Sequence, residues 1–169
     1  MVLLMLSATI FFMPLAVGTS ARADIPSGER VDGIPCQAME GSVMHIHSHL
    51  SVFDHGKPVG VPEDVGRPLA AQCFYWLHTH TPDGIIHIES PQFRTFTLGQ
   101  FFDIWSQPLT RRNVAGARPL PGESVKAYVD GEPFAGDLRR IELTQHLDIV
   151  ILVGPPYHRP PPFTQWNGN

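Results

Sequence analysis

The stretch FYWLHTHTPDGIIHIES, residues 74–90, decides how this chain folds. It alternates as a strand does, breaks at Pro82, Asp83 and Gly84, and alternates again. In the first arm Tyr75, Leu77 and Thr79 point one way, and Phe74, Trp76, His78 and His80 the other. In the second arm Ile86, Ile88 and Ser90 alternate with Ile85, His87 and Glu89. A two- or four-residue loop pairs residues of opposite parity and puts His78 and His80 on one face with His87 and Glu89. A three-residue loop would flip that face. The first choice also gathers Leu77, Ile86 and Ile88 into one apolar face, so it is the expected register.

A second alternating stretch lies upstream, VMHIHSHLSVFDHGKPVGVP from Val43. Alternation sets Met44, Ile46, Leu50 and Val52 on one face, with Ser48 among them. His45, His47, His49, Ser51 and Phe53 take the other face. Asp54-His55-Gly56-Lys57 then turns the chain, and PVGV returns as a short strand. Residues 63–72 read as a loop.

Downstream, Thr97 and Gln100 have capping-box spacing, with Phe96 and Phe101 placed as a hydrophobic staple. Leu98, Phe101, Phe102 and Trp105 follow at i, i+3, i+4 and i+7, and Pro108 stops the helix. Residues 107–124 read as a loop. A hairpin turning at Asp130-Gly131 comes next, then LDIVILV, a run suited to a strand buried on both faces. The order is hairpin, hairpin, helix, hairpin, strand. The economical fold is α+β, a mixed β-sheet of hairpins with one short helix packed on one face. The part KAYVDGEPFAGDLRRIELTQHLDIVILVG resembles the second half of a β-grasp domain, which implies a β-grasp-like fold and no function.

The domain plan follows. Residues 1–23 look like an export signal, with an apolar core from Val2 to Val17 and Ala21-Arg22-Ala23 as cleavage site. The n-region has only the terminal amine as its charge. Pro14 and Gly18 shorten the span below the ~20 apolar residues of a membrane crossing, so membrane contact is expected only through this segment if it stays uncleaved. Residues 24–42 form an extended N-terminal segment, 43–154 a single α+β domain, and 155–169 a Pro-rich tail lying along the surface. The expected location is periplasmic or secreted. In that setting Cys36 and Cys73 read first as a disulfide; the alternatives are thiolate ligands, since Cys73 lies five residues before His78, or free thiols. A formal charge of −4 with no basic run argues against a nucleic-acid partner.

Chemistry resides in the histidines. The chain has 9, and His45, His47, His49, His78, His80 and His87 all avoid the predicted apolar face, with Glu89 beside them. Directly opposed side chains on antiparallel strands stand about 4.5–5.5 Å apart, close enough for one ion to bridge imidazoles with bonds of about 2.0–2.1 Å. These seven residues are the candidate metal ligands. Imidazoles with one carboxylate suit a transition metal, and an exported location makes copper or zinc the expected ion. More ligands than one ion needs mean two ions, or one ion with supporting histidines. His55, in a turn, reads as exposed. His146 reads as a core or capping residue, Met44 as core, and Trp76 as a neighbour of the His face.

The motifs HIHSHL, YWLHTHTPDGIIHIESP, FTLGQFFDIW and a V-D-G-x-P-F hairpin resemble a family of exported bacterial and archaeal proteins, over about residues 43–154. That resemblance implies export and no activity. WLHTHTP also loosely resembles the H-[ST]-H-P core of JAMM metallopeptidases. Thr81 intervenes before the proline, Ser90 is displaced and no Asp follows, so that likeness carries little. Three functions fit the residues. The first is an exported metal-binding protein for copper or zinc handling. The second is a metal-dependent hydrolase or lyase with Glu89 as catalytic base. The third is a metal-free docking module with a pH-sensitive His face. A homo-oligomer could complete half-sites on an open sheet face.

Overall fold

The computed structural model describes residues 28–166 and 168; the expected export signal, residues 1–23, lies outside them. Among the described residues no helix is long and apolar enough to cross a membrane. The elements are β1 (Cys36–Gln37), β2 (Met44–Asp54), β3 (Lys57–Val59), β4 (Phe74–Tyr75), β5 (Leu77–His78) and β6 (Ile85–Ser90). They are followed by α1 (Leu98–Ile104), β7 (Leu109–Thr110), β8 (Asn113–Val114), β9 (Val125–Val129), β10 (Glu132–Phe134) and β11 (Leu147–Val153). The main sheet runs β10-β9-β11-β2-β6-β5, with β3 also on β2. β2 and β11 pair in parallel, Ser48 against Leu147 through Asp54 against Val153, and the other pairs are antiparallel. This is the expected α+β fold, with a parallel central pair flanked by hairpins.

Local chemistry explains the elements. His55 and Gly56 join β2 to β3 with φ of 49° and 79°, and Asp130 and Gly131 join β9 to β10 with φ of 47° and 82°. Both are two-residue turns of the type whose twist matches the strands they connect. Thr97 and Gln100 form the capping box in both directions, and Phe96, Leu98, Phe101 and Phe102 are fully buried against the sheet's core face with Leu50, Leu77, Ile86 and Ile88. All of β11 is buried, as a strand flanked by β2 and β9 must be.

Three features differ from the sequence expectation. The connection from β5 to β6, residues 79–84, is longer than any loop considered, but its even length keeps opposite parity, and His78 faces His87. The first arm is not one strand. A bend at Trp76 separates β4, which pairs with β1, from β5, which pairs with β6. Alternation therefore fails there. Tyr75, Trp76 and Leu77 are all buried in the core, and Trp76 packs edge-on to Phe96 while its Nε1–H donates to Gln37 Oε1 at 2.6 Å. The Trp76 side chain thus does not share the His face, although its carbonyl accepts the Glu89 N–H at 2.8 Å. Residues 107–124 also contain the small hairpin β7–β8.

The N-terminal segment is part of this body. Ile34 is fully buried, and Cys36 is bonded to Cys73. A 37-residue separation makes the link worth about 4 kcal/mol in loop-closure entropy. The disulfide fits an oxidising compartment.

Candidate metal centre

Pairing places the imidazoles. His47 opposes His87 across β2 and β6, and His87 opposes His78 across β6 and β5. The next row sets His45 against Glu89. Between these rows, Ile46, Ile88 and Leu77 line up on the core face. His80 follows β5 and brings its ring centroid to 4.3 Å from that of His87. Two groups result, each with its ligand atoms within 4.8 Å of one another: His45, His47, His87 and Glu89, and His78, His80, His87 and Glu89. They share His87 and Glu89.

Six of the seven sequence candidates therefore come together, and His49 does not. Its Nδ1 lies 2.9 Å from Asp148 Oδ1, and Phe163 stacks on its ring at 3.7 Å. Asp148 also accepts the Phe163 N–H at 3.1 Å, so the tail closes over that end of β2. His55 lies between Asp54 and Glu123, 2.7 Å from each, and burial is not what governs it; both hydrogen bonds raise its pKa. His146 stacks on Trp166 and its N–H donates to the His47 carbonyl at 2.6 Å.

One member of the site carried no sequence signal. Glu40, in the segment between β1 and β2, reaches within 3.5 Å of His78 Nε2 and 3.7 Å of His80 Nε2. It belongs to no alternating pattern. The clue is its neighbour Gly41, where an added Cβ would stand 2.2 Å from the Ser90 carbonyl carbon. Only glycine lets the chain lie this close to β6, and that approach carries Glu40 to the cluster.

The electrostatics suit a cation. His47 and His78 are buried, which lowers their pKa to about 4, with neighbouring imidazoles adding to the effect. Burial and His87 also lower His80. Burial opposes ionisation of Glu89, but the His87, His78 and His45 rings around it outweigh burial and hold its pKa down at about 2. At neutral pH the lowered imidazoles of His47, His78 and His80 are neutral and Glu89 is ionised, the protonation states that ligands need. The Tyr75 carbonyl, 2.9 Å from His78 Nδ1, accepts a proton held there and leaves Nε2 facing the cluster with a lone pair. Both ring nitrogens of His47 and Nδ1 of His87 are buried with no hydrogen-bond partner among the described residues. Such atoms are expensive to bury unless something binds them.

No family model, no curated protein and no solved structure matches the chain.

Proposed function

We propose that this protein is an exported metal-binding protein that handles copper or zinc through its His face. The observation that carries the reading is the gathering of five imidazoles around the Glu89 carboxylate, with three buried ring nitrogens of His47 and His87 left without a hydrogen-bond partner. Imidazole with carboxylate favours zinc or copper(II) over hard cations such as magnesium or calcium. The Cys36–Cys73 disulfide supports an oxidising location. Glu89 Oε1 stands 3.3 Å from His45 Nε2, 3.5 Å from His87 Nδ1 and 3.9 Å from His78 Nε2. A carboxylate so enclosed serves as a ligand, which favours binding over the alternative in which Glu89 is a free catalytic base.

Elemental analysis tests this. Untagged protein, expressed from the full sequence and purified without metal columns, should carry a transition metal, and a His87→Ala/Glu89→Ala variant of matching circular dichroism should carry none. Wild-type protein that stays empty after challenge with copper and zinc would sink the metal reading and leave the His face as a pH-responsive surface.

A further inference from the structure

We propose that the cluster is a two-ion centre, with Glu89 as the bridge and Glu40 as a ligand of the second ion; this rests on the metal-binding reading above.

The distances carry the argument. Four donors placed tetrahedrally at 2.0–2.1 Å from an ion stand about 3.3–3.4 Å from one another. His78 Nε2, His80 Nε2 and Glu40 Oε1 are separated by 3.1, 3.5 and 3.7 Å, which is one face of such a tetrahedron to within a few tenths of an ångström. Glu89 Oε1, 3.9 Å from His78 Nε2, supplies the fourth donor. On the other side, Glu89 Oε1 makes edges of 3.3 Å with His45 Nε2 and 3.5 Å with His87 Nδ1. His47 completes that set, its ring 4.8 Å from His45 and 4.6 Å from His87, centroid to centroid.

Each ion therefore has its own donors. The first takes His45, His47 and His87; the second takes His78, His80 and Glu40. Glu89 serves both: its Oε1 stands beside donors of each set, and an ionised carboxylate has two oxygens and about four lone pairs to share. One ion cannot use all of these groups, since His45 and His47 fall outside the group containing His78 and His80. Charge agrees with geometry. Glu40 and Glu89 lie side by side against His78, and two adjacent carboxylates are stabilised by positive charge between them. Arg67, paired with Asp64 at 2.8 Å, also draws on the Glu40 carboxylate, but burial and Glu89 beside it outweigh that cation.

Zinc stoichiometry is the test. Metal-free full-length protein is loaded with excess zinc, passed through a desalting column, and measured for zinc per chain. Wild type should retain two ions. Glu40→Gln should retain one, and His45→Ala should retain one. Glu40 is a partly exposed side chain on an irregular segment, so its amide variant keeps the fold, and circular dichroism verifies that. Cobalt(II) loading adds a structural readout: the intense visible absorption of four-coordinate cobalt should fall by about half in Glu40→Gln. A wild type holding a single ion overturns the two-ion centre while leaving metal binding intact. A wild type holding none overturns both. Two ions retained in Glu40→Gln would overturn the assignment of Glu40.

Discussion

His47 and His78 are the residues on which pH acts most directly. Both are buried and neutral in the folded protein, with pKa lowered to about 4, whereas an unfolded histidine titrates near 6.5. Between those values the unfolded chain binds protons that the fold refuses, so stability is full above about pH 6.5 and falls as pH drops toward 4. The loss is at most roughly 3 kcal/mol per ring. His55 works with the opposite sign. Its pKa is raised by Asp54 and Glu123, so its contribution is present below about pH 6.5 and fades as pH rises through its folded value. Thermal unfolding of the metal-free protein from pH 8 to pH 4 should show Tm falling through the acidic range. His47→Leu should flatten that fall. His55→Asn, which keeps a residue tolerant of the turn's positive φ, should lower Tm more at pH 6 than at pH 9. A Tm independent of pH in wild type would contradict the buried neutral state of these rings.

Among the elements, α1 depends on its start. It has only the 7 residues Leu98–Ile104, too few to be stable alone, and its capping box satisfies orphan backbone donors at its first turn. Thr97→Ala should destabilise the protein by about 1 kcal/mol in urea unfolding with an unchanged m-value. This cap was legible in the sequence, as were both two-residue turns and β11, because each is specified by residues adjacent in the chain. The parity of the His hairpin was legible for the same reason: Leu77, Ile86 and Ile88 had to share the core face. The bend at Trp76 was not. β4 leaves the line of β5 to pair with β1, a partner held there by Cys36–Cys73, and no local pattern announces a strand that changes partners. The site divides likewise. Six candidate ligands followed from alternation, yet alternation also included His49, which the tail's Phe163 and Asp148 claim instead. Glu40 could not follow from any period, because an irregular segment delivers it.

Across the whole molecule, the disulfide connects stability to the candidate metal site. It holds β1 on β4, and the chain runs from β1 through Glu40 and Gly41 onto the edge of β6. Cys36→Ser/Cys73→Ser should lower unfolding free energy by roughly 3–4 kcal/mol. It should also weaken zinc retention at the second ion more than at the first, since only the second uses Glu40. Guanidinium unfolding and zinc stoichiometry on the same sample would measure both. Equal loss of the two ions would mean that the segment does not position Glu40.

The parallel pairing of β2 with β11 bears on when the molecule can become itself. His49 of β2 meets Asp148 of β11 across a sequence separation of 99, and Gln145 and His146 hold the backbone of His47. A chain appearing from its N-terminus first offers the histidine strand alone, then with β6, and the strand's second edge stays open until β11 arrives. Contacts of such range form slowly. During that interval the open edge can pair with another chain. The His strand is therefore fixed on both edges only once β11, a strand that contributes no candidate ligand, is in place.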